Sequence, residues 1–146
     1  MDDHINTDHE ADFLVWTSAQ IELLRSKQFD RLDLENIIEE LESMARAERR
    51  EFKRHIEQLM MHLLKCKLQP EVISGIWLGT IREHRYRIAD FLEDMPSLKP
   101  TLDDAVEEAY VHAATLAACE TGLPKSAFPA SIPFTKDQLL DEDYLP

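Results

Sequence analysis

Residues 33–70 read DLENIIEELESMARAERREFKRHIEQLMMHLLKCKLQP, with no proline or glycine before Pro70. Apolar side chains recur at Leu34, Ile38, Leu41, Ala45, Phe52, Ile56, Leu59 and Leu63. That spacing of threes and fours is one face of a helix. Asp33 stands at the cap position, where a short acceptor side chain satisfies free N–H groups, and Leu32 with Ile37 can act as hydrophobic staple. The stretch predicts one helix from Asp33 to about Gln69. At 1.5 Å per residue it spans about 50 Å, longer than a compact domain of this size needs. Two arrangements accommodate that length: a kink in the charged run Arg46–Glu51, or a projecting end that pairs with a second copy. The stripe keeps no strict heptad, which argues against a simple coiled coil.

Working outward, Thr7 and Glu10 form a T-x-x-E capping box that opens a first helix near Asp8. Its apolar arc holds Phe13, Leu14, Trp16, Ile21, Leu23 and Leu24. Thr17 and Gln20 fall inside that arc, and a buried Gln20 amide needs a partner on another helix. Beyond Pro70 a third helix carries Ile73, Trp77, Ile81, Ile88, Phe91, Leu92 and Met95 on one face. Gly75-x-x-x-Gly79 reads as a packing point of close backbone approach, and Arg82 beside it argues against a membrane dimer motif. Pro96 and Pro100 bracket the next turn. A fourth helix runs from about Leu102 to Thr121, with Leu102, Ala105, Val106, Ala109, Ala113, Leu116 and Ala117 facing inward. Gly122 ends it. Residues 124–134 combine three prolines with Phe128, Ile132 and Phe134, the makings of an extended strap over the bundle. Thr135 and Gln138 form a second capping box, for one last short helix. The expectation is an all-α single domain over residues 1–146. It is a bundle of four main helices, one of them long, with residues 124–146 as a C-terminal strap.

The chain has 146 residues, suited to one core. Its three glycines leave no room for a G-x-G-x-x-G fingerprint or a P-loop. The formal net charge is −13, which opposes phosphate backbones and argues against nucleic acid. The charge is divided. Residues 1–45 hold 3 basic and 12 acidic residues, residues 46–87 hold 10 and 5, and residues 88–146 hold 3 and 12. Either the basic middle neutralises its flanks within one fold, or part of it receives an acidic partner. Cys66 and Cys119 sit among apolar residues and read as buried, inert thiols of a reducing compartment. The start lacks the charged and apolar regions of a signal peptide. The longest apolar run, Phe13–Trp16, is far too short to span a bilayer. These features predict a cytoplasmic protein.

Six histidines and 29 carboxylates raise the question of a metal. No H-E-x-x-H occurs, and no Glu stands three residues before a histidine as di-iron bundles require. Glu51/His55 and Glu108/His112 are pairs at one-turn spacing. Glu48, Glu51, His55, His62 and Cys66 line one edge of the long helix's stripe. His55 and His62 are two turns apart, about 10 Å, so an ion would need ligands from elsewhere, such as His84 or His112. Otherwise these residues pair with arginines or meet water. His84 lies within the third helix's stripe between Ile81 and Ile88. It reads as a core histidine donating across the bundle, or as a pocket residue with Arg82 and Arg85 beside it as anion or partner contacts. Burial would keep it neutral with a lowered pKa. Arg46, Arg49, Arg50, Lys53 and Arg54 interleave with Glu48, Glu51 and Glu57, as ion pairs or as an acidic partner's site. No nucleophile motif is present. Glu120 continues the fourth helix's stripe toward partial burial.

Several separated motifs carry a resemblance. They are DFLVWT at Asp12–Thr17, FDRLDLENIIEE at Phe29–Glu40, TIREHR at Thr80–Arg85, ETGLP at Glu120–Pro124 and LLDEDYLP at Leu139–Pro146. Together they resemble the bacterial family known as domain of unknown function 29, over almost the whole chain. The resemblance implies a bacterial, single-domain, all-helical protein, and carries over no activity, cofactor or catalytic residue. The residues themselves point to a non-enzymatic interaction or regulatory module that self-associates, with a possible protein partner, no membrane and no cofactor. The other reading is a bundle enzyme binding a divalent metal or small molecule at Glu48, Glu51, His55, His62, His84 and His112.

Overall fold

The computed structural model describes residues 8–146. Thr7, expected to cap the first helix, lies outside them. The order is α1 (Phe13–Arg25), α2 (Leu34–Leu68), α3 (Gly75–Asp94), α4 (Leu102–Thr121) and α5 (Lys136–Leu140). Short 3₁₀ turns lie at Phe29–Arg31, Pro70–Val72, Pro96–Thr101 and Lys125–Ala127. The described residues contain no strand, so the protein is all-α. The chain divides into two compact units between Arg46 and Ala47. The division falls inside α2, whose helical assignment is unbroken from Leu34 to Leu68.

In the N-terminal unit, α1 starts five residues later than the Thr7–Glu10 pattern predicts. Asp12 is the cap, accepting from the Val15 backbone N–H at 3.1 Å, while Asp8 closes a turn by accepting from Glu10 N–H. Of the predicted arc, only Trp16 is buried. Leu14 is 75% exposed, Phe13, Ile21 and Leu24 are also exposed, and Leu23 is half-buried. The arc is broader than the strip its neighbours in this unit cover. Gln20 finds its partner at the start of α2, where its Oε1 accepts from the Asp33 N–H at 2.9 Å.

The second unit holds a contiguous core. From α2 it takes Phe52, Ile56, Leu59, Met60, Leu63 and Leu64, and from α3 Ile81 and Ile88. From α4 come Val106, Ala109, Ala113 and Ala117. Ser74 caps α3 by accepting from Trp77 N–H. The glycine pair is no packing point: a Cβ built at Gly75 or Gly79 meets nothing within 4 Å. Gly79 instead faces an open hollow with Arg82, Tyr86 and Glu142. Gly122 ends α4 at φ +72°, the left-handed conformation that glycine adopts without a Cβ penalty. The strap seats Phe128 and Phe134 in the core, and Tyr110 donates to the Pro129 carbonyl at 2.6 Å. The Thr135–Gln138 box forms in both directions and opens α5. Cys66 is buried, but Cys119 is exposed, because its position on α4 lies outside the Ala109–Ala113–Ala117 face.

Candidate functional site

The long helix is apolar on nearly every side from Leu59 to Cys66 and buried there all round. One turn earlier the burial narrows, and His55 sits at its margin, partly covered. On α3, His84 occupies the position between Ile81 and Ile88 that the periodicity assigns to the core. The two meet: His55 Nδ1 lies 2.9 Å from His84 Nδ1, with ring centres 5.2 Å apart. His62 extends the row, its ring centre 6.4 Å from that of His84. Phe91 flanks His55 at 5.9 Å and packs against Phe52.

Each ring's outer contacts constrain its hydrogens. The Gln58 carbonyl, 2.8 Å from His62 Nδ1, can only accept. His62 therefore carries a hydrogen on Nδ1. Glu51 Oε1 lies 3.3 Å from His55 Nε2 and accepts from Arg54 at 2.8 Å. Burial pushes His84 down to about 4, and the neighbouring His55 and His62 add to the shift. Burial also holds His55 below its ordinary value, against the opposing pull of Glu51. Both rings are thus neutral at pH 7. At 2.9 Å one Nδ1 donates a hydrogen to the lone pair of the other.

The structure gathers Glu51, His55, His62 and His84 on neighbouring parts of α2 and α3. It leaves out Glu48, which is exposed, and His112, whose Nδ1 lies 2.9 Å from Glu57. Glu108, predicted to share an ion with His112, accepts instead from Lys53. Among the described residues no three His, Cys, Asp or Glu side chains are placed to hold one ion. Arg82 is exposed. Arg85 is 4% exposed and directs its donors to backbone carbonyls: Nε to Leu139 at 3.0 Å and Nη2 to Gln138 at 3.1 Å, with Glu142 at 3.5 Å.

Lys65 is a residue that stripe reading misses. It is buried, donates to Glu120 at 2.6 Å and lies 4.4 Å from the centre of the Trp77 ring. The apolar residues on both sides of it were the available signal. Glu120 itself is exposed, held at the surface by that contact.

A second feature lies in the N-terminal unit. Leu34, Ile38, Leu41 and Met44 are 57, 53, 60 and 64% exposed. Three of them belong to the same stripe that is buried further along at Phe52, Ile56, Leu59 and Leu63. Glu35, Glu39 and Glu42 flank them, also exposed.

No described helix is long and apolar enough to cross a membrane. No curated protein and no solved structure matches the chain. The family model described as a domain of unknown function, DUF29, matches residues 9–145. That span takes in the histidine row and the exposed stripe, and the chain belongs to the DUF29 family.

Proposed function

We propose that the protein is an interaction module that self-associates, with the N-terminal unit of one copy seated on the basic stretch of another. The observation that carries this reading is the exposed stripe Leu34, Ile38, Leu41 and Met44. Large apolar side chains aligned on one helix face and rimmed by charge are the usual mark of an interaction surface. The charge selects the occupant. Residues 1–45 carry 3 basic against 12 acidic residues, so two such units repel when set face to face. Residues 46–87 carry 10 basic against 5 acidic, and Arg49, Arg50, Ile76 and Tyr86 are exposed there. An acidic apolar face therefore finds its complement on a different part of a second copy. Such a contact is heterologous, and closes only when the rotation between copies permits a ring.

Sedimentation velocity over a concentration series tests the reading. The expected result is concentration-dependent association that weakens at high salt. Ile38→Glu with Leu41→Glu should give a monomer, as should Arg49→Glu with Arg50→Glu. A wild-type chain that stays monomeric at every concentration overturns the proposal. So does association that survives both pairs of substitutions.

A further inference from the structure

We propose that His55 and His84 form a two-imidazole site for a divalent ion of the zinc class, bridging α2 and α3. The geometry is close to what such an ion asks. A zinc ion holds imidazole nitrogen at about 2.0–2.1 Å, so two ligands at a tetrahedral angle stand about 3.3 Å apart. The two Nδ1 atoms are 2.9 Å apart, and a few tenths of an ångström of opening suffices. Two imidazoles on one tetrahedral ion also place their ring centres about 5 Å apart, against the 5.2 Å found here. In the metal-free protein one hydrogen occupies the line between the nitrogens. Moving it to the far nitrogen of its own ring leaves two lone pairs facing each other, with no change in charge.

The surroundings suit a ligand pair. Glu51 Oε1 lies 3.3 Å from the outer nitrogen of His55, the place where a carboxylate orients a ligating histidine and raises its basicity. Ile81 and Ile88, one turn to either side of His84 on α3, are buried and fix that helix in place. Both rings are partly buried, and a metal takes the unprotonated imidazole. Imidazole ligands favour zinc, copper or nickel over calcium or magnesium. With two protein ligands the remaining positions belong to water or an exchangeable ligand, so the ion is a removable clasp. The self-association reading uses other side chains, the exposed stripe at Leu34–Met44 and the exposed Arg49, Arg50, Ile76 and Tyr86, and none of these is a ligand here.

The test uses the full chain, stripped with chelator and titrated with Zn²⁺ by calorimetry and with Co²⁺ by visible absorption. One ion per chain is expected, with tetrahedral cobalt bands and a rise in melting temperature on zinc addition. Loss of a ligand costs at least what loss of its outer-sphere partner does, so His55→Gln and His84→Gln should each weaken binding about tenfold or more. His112→Gln should leave it unchanged. Ring ¹⁵N shifts of the wild-type protein provide a readout that needs no variant: His55 and His84 should move and His112 should not. Absence of a one-to-one site overturns the proposal. So does a His84→Gln protein that binds as wild type, or ring shifts confined to other histidines.

Discussion

The indole of Trp16 donates through Nε1 to Asp33 Oδ2 at 3.0 Å. Trp16 is the buried side chain of α1, and Asp33 is the residue from which α2 starts. The same carboxylate accepts from the Asn36 side chain at 2.8 Å and from the Asn36 backbone N–H. One carboxylate therefore caps a helix and satisfies the polar atom of the neighbouring helix's one buried ring.

Asp33→Ala should remove the cap and leave the indole N–H without its acceptor. The expected cost to the N-terminal unit is about 1–2 kcal/mol. In a Trp77→Phe background the remaining tryptophan reports that unit alone. Its emission should shift to the red and its indole proton should exchange faster, while α3 and α4 amides keep their protection.

Acid should act on the same contact. The Asn36 and Trp16 donors hold the Asp33 carboxyl below its ordinary value, and burial opposes them weakly. A carboxyl with a depressed folded-state pKa contributes stability above its unfolded pKa of 3.8 and loses it as pH falls through the folded value. The Trp16 signal should therefore change as the pH drops below about 4. Asp33→Asn should flatten that change, because it has no proton to gain.

Arg85 caps α5 from outside. A five-residue helix leaves its last carbonyls without partners, and the buried guanidinium takes those of Gln138 and Leu139. Arg85→Met keeps volume but orphans these oxygens, at a cost of about 2–3 kcal/mol. Hydrogen exchange over residues 136–146 should accelerate and limited proteolysis should cut there first. Arg85→Lys should recover only part of the protection, since an ammonium lacks the planar fork that meets two carbonyls at once.

The Lys65–Glu120 pair predicts an asymmetry. Lys65→Met removes a buried charge from beneath the Trp77 ring and leaves Glu120 in water, so stability should stay within about 1 kcal/mol of wild type. Glu120→Gln leaves the ammonium buried without its counter-ion and should cost more, about 1–2 kcal/mol after allowing for the exposed carboxylate. Urea unfolding followed by Trp77 fluorescence orders the two. The reverse order contradicts the assignment.

The elements with local signals were legible. Gly122, the Thr135–Gln138 box and the unbroken run after Asp33 each place a helix end through chemistry within four residues. The start of α1 was not, because Asp8, Asp12 and Thr7 can all cap and periodicity does not choose among them. Neither was the division of the long stripe: Leu41 and Ile56 look alike in sequence, yet one is 60% exposed and the other 1%. Periodicity names the apolar face of a helix, not the neighbour that covers it. The histidines show the same limit. A helical wheel places His55 and His62 on one edge and His84 in its stripe. Their meeting depends on how far α3 slides along α2, which no residue spacing encodes.

Toward its C-terminal end the inner face of α4 is mostly alanine, with Ala109, Ala113, Ala114 and Ala117 all buried. An alanine face has nothing left to shed, so every side-chain change there except to glycine is an enlargement, and added methylenes in a filled core cost about 1–3 kcal/mol. The α2 residues of the same core, Leu59, Leu63 and Leu64 among them, can still shrink. The two sides of this core thus differ in their freedom to drift. A lineage can lose volume on α2 and restore it by enlarging an alanine of α4, but the opposite order passes first through a clash. Paired changes between these helices should have a preferred sequence in time, with the leucine moving first.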